Sequence, residues 1–203
     1  VNAGYLIAKK LCDENLLCKE DTEQMKLIEC LLERYYGEVF GIDGEDKIFG
    51  KLTCTNGIIR TENGKPALTF DIRYGIDTDY ENIKNKISEF FGQNGWTVRI
   101  INEKHPYIIS EDNVYLQKCL KAYKGFCKTD DAPTYINAGA THAGELSCAV
   151  ETGTDLYSGK PEGMPEGHGN AHQPDECINE VGFLKAMELI LHMVLECDSE
   201  HSN

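Results

Sequence analysis

Apolar residues recur in this chain first at helical spacing and then in strict alternation, and the change of period organises its first hundred residues. Residues 3–17, AGYLIAKKLCDENLL, place apolar side chains at Ala3, Leu6 or Ile7, Leu11 and Leu17. That spacing predicts a helix, which opens with no cap, no preceding strand and no start methionine. Asp21 followed by Gln24 resembles a capping box, and Met25, Ile28, Leu32 and Tyr35 form the stripe of a second helix that Gly37 stops. Alternation follows in KIFGKLTC, a turn at Asn56-Gly57, IIRTE, a second turn at Asn63-Gly64, and PALTFDIRY, where Leu68, Phe70, Ile72 and Tyr74 share a face. This predicts an antiparallel meander of three strands. Thr78 with Glu81 caps a third helix carrying Ile83, Ile87 and Phe90, and WTVRII reads as a further strand facing inward at Trp96, Val98 and Ile100. The order α-α-β-β-β-α-β, up to about residue 104, describes an α+β fold with helices on one face of an antiparallel sheet.

His105-Pro106 marks a change of composition, and a second unit is expected from residue 105 to residue 203. A short helix through Leu116, Leu120 and Tyr123 leads to a strand-like TYI at 134–136. Residues 137–176 hold seven glycines and three prolines, too broken for regular elements and too long for an idle connection, so a functional loop region is expected there. The chain closes on a helix from about Glu180 to Glu196, apolar at Leu184, Met187, Leu191 and Val194.

Composition narrows the function classes. With 203 residues, 41% of them hydrophobic, a real core is within reach. The balance of 34 acidic against 20 basic residues, a net charge of −14, repels phosphate backbones and anionic membrane surfaces, so neither nucleic acid nor a membrane is expected as a partner. VNAGYLIAKK lacks the pattern of a secretory leader and no apolar run approaches the ~20 residues of a membrane span, which leads to the expectation of a cytoplasmic protein. Nine cysteines, an odd number with no CxxC pair, read as reduced thiols that serve mostly as small apolar side chains.

The residues able to carry chemistry are few. GHGNAHQPDE, residues 167–176, holds two histidines and two carboxylates. Gly167, Gly169 and Pro174 exclude the helix that would put His168 and His172 on one face as a metal pair, so each histidine stands as a lone loop residue. Asp175 and Glu176 read equally well as caps of the following helix, where the dipole favours carboxylates. His142, in NAGATHAGEL, lies among small residues where a ligand could approach the backbone, with Glu145 nearby. Asp71 and Arg73 project with Thr69 from the polar face of a strand, either as a cross-strand salt pair or with Arg73 free to bind a carboxylate. His105 reads as structural. No Ser-His-Asp arrangement, phosphate-cradling glycine loop or HExxH is present.

Taken in order, several of these pieces resemble the co-catalytic zinc metallopeptidases, a family that includes bacterial dipeptidases, carnosinases, aminoacylases, carboxypeptidase G and succinyl-diaminopimelate desuccinylase. VNAGYLIAKKL looks like the helix after the lid-domain histidine segment, LTFDIRYG like the lid strand, GATHAGEL like the Gly-Gly-Thr-Tyr-Ala-Arg segment of the dipeptidase branch, and AHQPDE like the C-terminal zinc-ligand motif. The resemblance implies a C-terminal half: residues 1–104 as a ferredoxin-like lid with its first strand missing, and residues 105–203 as the closing part of an α/β catalytic domain. It implies two zinc ions in the intact parent, His172 as a ligand of one, Glu176 as a second residue supporting that ligand, Arg73 as a residue that holds either substrate or the lid sheet, and His142 near substrate. The parent would cleave a small peptide by metal-activated water.

The departures are as specific. The general base and the other zinc ligands of the family fall upstream of Val1, so this chain by itself is expected to be inactive and to hold no zinc. His142 stands where the dipeptidase branch has Tyr, and Gly144 where it has the arginine for the substrate carboxylate. Two other readings stay open: a non-enzymatic module that dimerises through the lid sheet, and a parent that is a deacylase or desuccinylase of N-acyl amino acids.

Overall fold

The computed structural model describes residues 2–136, 139, 141–146, 149–152 and 159–199, without the side chain of His142. It combines helices with small antiparallel sheets, an α+β arrangement. The chain divides into two compact units, Val1–Tyr107 with Ile136–Ala138, and Ile108–Tyr135 with Gly139–Asn203.

The first unit opens with α1 (Ala3–Asp13) and α2 (Lys19–Glu33). α1 does have a cap: the Asn2 side chain accepts from the Gly4 and Tyr5 N–H groups. Its inward residue is Ala8, while Leu6 and Ile7 are exposed, so the apolar stripe of the sequence faces the wrong way. A small side chain is required there because the helix lies close on its neighbours; a Cβ at Gly4 would stand 2.2 Å from Ile59. α2 starts at Lys19, earlier than a box at Asp21 would allow. Asp21 lies instead inside the first turn, where the helix dipole favours a carboxylate. Ile28, Leu31 and Leu32 are buried, and Tyr35 lies beyond the helix end and exposed.

The meander is smaller than expected. β1 (Glu45–Asp46) and β2 (Gly50–Lys51) form a minimal hairpin, and β3 (Thr53–Glu62) pairs with β4 (Lys65–Arg73) in a long one. Asn56-Gly57 is not a turn. β3 runs straight through it as a β-bulge, with Asn56 opposite Phe70 and Ile58 opposite Thr69, leaving Gly57 as the extra residue. The Asn56 amide spans the irregularity, donating to the Ile58 and Thr69 carbonyls at 3.1 and 2.9 Å. Asn63-Gly64 is a turn, both residues left-handed at φ 51° and 75°, as a two-residue hairpin loop demands.

α3 (Tyr80–Gln93) is capped by Asp79 rather than Thr78 and buries Ile83, Ile87 and Phe91. These side chains close the main core with Leu31, Phe40, Ile42, Leu52 and Cys54. Phe40 meets Phe70, Phe90 and Phe91 at centroid distances of 6.0, 5.1 and 5.5 Å. A smaller cluster of Ala8, Ile28 and Leu32 joins it through Phe70 and Trp96. WTVRII forms no strand: Trp96 is anchored by its indole N–H to Gln24 at 2.8 Å, and Val98, Ile100 and Ile101 beyond it are exposed and without a ladder. Asp46, nearly buried, fastens the small hairpin by accepting from the N–H groups of Ile48, Phe49 and Asp77, which hold its carboxyl below the ordinary range.

The second unit is built on α4 (Val114–Cys127) and α5 (Glu180–Asp198), which pack against each other. TYI is not a strand. α5 buries Gly182, Ala186, Leu189 and Met193, not the predicted stripe; Leu184, Met187, Leu191 and Val194 are all more than half exposed. Both faces of this helix are apolar, so periodicity could not tell which one finds a partner within the unit. No helix among the described residues is long and apolar enough to cross a membrane.

Candidate metal-ligand loop

The stretch 159–179 is shaped by backbone dihedrals more than by packing. Gly163, Gly167 and Gly169 are left-handed at φ 83°, 82° and 70°, and so is His172 at 65°. At Gly169 a Cβ would also stand 2.6 Å from the Cys177 sulfur, so the turn closes tightly on the strand of chain that leaves it. Asn170 ties the centre, its N–H donating to the Gln173 side-chain oxygen at 3.0 Å and its amide to the Gly167 carbonyl at 3.1 Å. The Asn179 N–H bonds the Gly159 carbonyl at 2.8 Å, and the Asn179 side chain caps α5 through Gly182, a role the sequence offered to Asp175 or Glu176.

Those two carboxylates are used inside the loop instead. The Glu176 carboxylate accepts the His172 N–H at 3.0 Å, a main-chain clasp that brings this predicted pair together. His172 is exposed, and its imidazole makes no hydrogen bond to a described residue. His168 Nδ1 lies 2.7 Å from the Asp175 carboxylate, and this contact, with smaller help from the Gly169 N–H and Lys160, holds the Asp175 carboxyl below the ordinary range. The histidine that the sequence left alone is thus the one with a carboxylate partner on its ring. No regular spacing signals the pair, because the chain doubles back between positions 168 and 175 by way of left-handed residues.

The other candidates lie apart in the chain. Arg73, the last residue of β4, donates to the Asp71 carboxylate at 2.9 and 3.2 Å; the pairing is along one strand, two residues apart, rather than across strands. Residues 142–145 form a single 3₁₀ turn capped by the Thr141 hydroxyl on the Ala143 N–H, which places Gly144 within it, and the side chain of His142 lies outside the described residues. A cluster the sequence missed surrounds His105. Tyr74 OH meets His105 Nδ1 at 3.3 Å, His105 Nε2 meets Glu103 at 3.1 Å, and the other Glu103 oxygen accepts from Tyr80 OH at 2.5 Å. That last bond pushes the Tyr80 hydroxyl up to about 12.

A catalytic zinc takes about three protein donors and keeps a position for water. Among the described residues no three His, Cys, Asp or Glu side chains gather around one point.

No family profile matches the chain. It is similar over nearly its whole length to several curated proteins, among them the following three. Putative dipeptidase YtjP of Bacillus subtilis (strain 168) is 26% identical over 201 residues, 97% of this chain and 40% of that protein. Putative dipeptidase SAR1836 of Staphylococcus aureus (strain MRSA252) is 24% identical over 201 residues, 96% of this chain and 40% of that protein. Putative dipeptidase SAUSA300_1697 of Staphylococcus aureus (strain USA300) is 24% identical over 196 residues, again 96% and 40%. The chain therefore spans about 40% of the length of the curated relatives it matches.

Proposed function

We propose that this distant relative of dipeptidase-like proteins is the part of a zinc-dependent dipeptidase that carries its lid and the closing segment of its catalytic domain. Residues 1–104 are the lid in this reading, and residues 105–203 belong to the catalytic domain. His172 gives one ligand to a zinc ion whose other donors lie in the remainder of the protein. The observation that carries this reading is the His172–Glu176 clasp: a carboxylate spent on the backbone N–H fixes the loop while the imidazole stays available. In metal sites, groups that orient a ligand without binding the ion are a regular feature. The similarity to proteins named as dipeptidases over 97% of this chain supports the hydrolase class. The substrate is a small peptide. Arg73 and His142 are its proposed contacts, and Gly144 leaves the substrate carboxylate to a residue other than the arginine the resemblance calls for.

The test compares this chain with the polypeptide extended by the coding sequence that precedes Val1. Supplied with zinc, the chain alone turns over neither dipeptides nor N-acyl amino acids. The extended polypeptide cleaves dipeptides, and His172→Ala lowers its kcat/KM by about a hundredfold or more, with loss of bound zinc. Robust turnover by the chain alone, or a fully active His172→Ala variant, overturns the proposal. Preference for N-acyl amino acids over dipeptides overturns the substrate class and leaves the ligand assignment standing.

A further inference from the structure

α4 and α5 are held together at one end by two lysines. Lys118 Nζ donates to the Cys197 carbonyl at 3.2 Å, and Lys121 Nζ meets the Glu196 carboxylate at 2.5 Å. Cys119 lies between these lysines on α4, and Cys197 is in the last turn of α5. Both thiols are half-buried and reduced, and Cys197 stands near enough to Cys119 to raise its thiol. The lysine contacts on either side keep the end of α5, where helices ordinarily fray, against the middle of α4. None of this serves the metal-ligand loop, which lies elsewhere in the same unit.

We propose that Cys119 and Cys197 form a redox-active dithiol whose oxidation by a small-molecule disulfide such as oxidised glutathione staples α4 to the last turn of α5. The exchange takes two steps. The Cys197 thiolate attacks one sulfur of oxidised glutathione, whose S–S bond breaks; one glutathione thiolate leaves and takes a proton from solvent. The Cys119 sulfur, giving up its proton, then attacks the Cys197 sulfur of the mixed disulfide, and the second glutathione leaves as a thiol. Two protein thiols are oxidised, one external disulfide is reduced to two thiols, and no other oxidant is needed. The order follows from the surroundings of Cys119. Burial first, then the neighbouring Cys197, pushes its thiol up to about 11, which leaves it the poorer first nucleophile and the resolving residue.

The product closes a covalent loop around everything between positions 119 and 197, including residues 167–176. Closing so long a loop restrains the unfolded chain and raises the Tm of the oxidised form by roughly 5–10 °C.

The chain is equilibrated in glutathione buffers from reducing to oxidising, quenched, alkylated and mapped by mass spectrometry. The expected result is a species lighter by two hydrogens in which Cys119 and Cys197 are joined. It is at least about tenfold more abundant than any other intramolecular pair, and concentrated urea abolishes the preference. Cys119→Ser and Cys197→Ser each remove this product, and the wild-type comparison of native with urea-treated chain needs no variant. Three results overturn the proposal: no 119–197 linkage under oxidising conditions, a linkage no more frequent than in urea, or the same closed species in Cys119→Ser.

Discussion

The dipeptide Asn-Gly occurs twice in the long hairpin, and one substitution made at each copy separates two accounts of it. At Gly64 the backbone is left-handed, φ 75°, and a Cβ would meet nothing within 4 Å. Alanine there suffers no clash, only the conformational penalty of an L-residue in that region, about 1–2 kcal/mol. At Gly57 the backbone lies outside the left-handed region, and a Cβ would stand 3.6 Å from the Thr69 hydroxyl oxygen, an ordinary contact. Alanine there costs nothing in the folded state and narrows the unfolded ensemble, so Gly57→Ala should range from neutral to about 1 kcal/mol stabilising. The two variants are thus expected to differ by roughly 1–3 kcal/mol although the local sequence is the same. Urea unfolding followed by the fluorescence of Trp96, the single tryptophan, reads this directly, because that side chain packs against both clusters of the first unit. Equal destabilisation by Gly57→Ala and Gly64→Ala would mean that Asn56-Gly57 turns the chain after all and would refute the bulge.

Two further experiments probe the second unit. Leu189→Ala, at a position 2% exposed, should cost about 3 kcal/mol in urea unfolding followed by helical circular dichroism, while Leu191→Ala, 56% exposed, should stay within about 1 kcal/mol; the reverse order would show that α5 is turned the other way. The Asp175 carboxyl, held low by His168, should titrate below its ordinary value of 3.8 when followed by carbon NMR, and His168→Gln should return it towards that value. Because the folded pKa is the lower one, the stabilising contribution is complete above 3.8 and fades as the pH falls through the folded value; titration at 3.8 or above in the unaltered chain would show that the pair does not form in solution.

What could be read from the sequence follows from the range of the interactions involved. Helices announced themselves through period and composition, and α3 and α5 lie within a few residues of their predicted positions. Which face of a helix turns inward did not, since α5 carries apolar residues all round and Ala8 of α1 is buried for its small size rather than its hydrophobicity. Turn chemistry was legible only in part, because an asparagine before glycine serves a left-handed turn at 63–64 and an amide bridge across a bulge at 56–57. Strand pairing was not legible for WTVRII, whose alternation is real but whose backbone meets no partner strand among the described residues. Within the loop, His172 and Glu176 were marked by their resemblance to a family motif. The His168–Asp175 contact and the Tyr74–His105–Glu103–Tyr80 chain depend on where the backbone returns, which no local pattern encodes.

The left-handed backbone of His172 has an evolutionary reading. Glycine, or asparagine among the larger residues, would sit at φ 65° with less strain, so a chain selected for stability alone drifts towards them at this position. Replacing His172 by glycine should therefore relieve up to about 1 kcal/mol of conformational cost even as it deletes the imidazole. On the proposed role of His172 as a zinc ligand, a library screened for thermal tolerance and one screened for hydrolysis in the extended polypeptide would diverge at this residue, the first discarding histidine and the second retaining it.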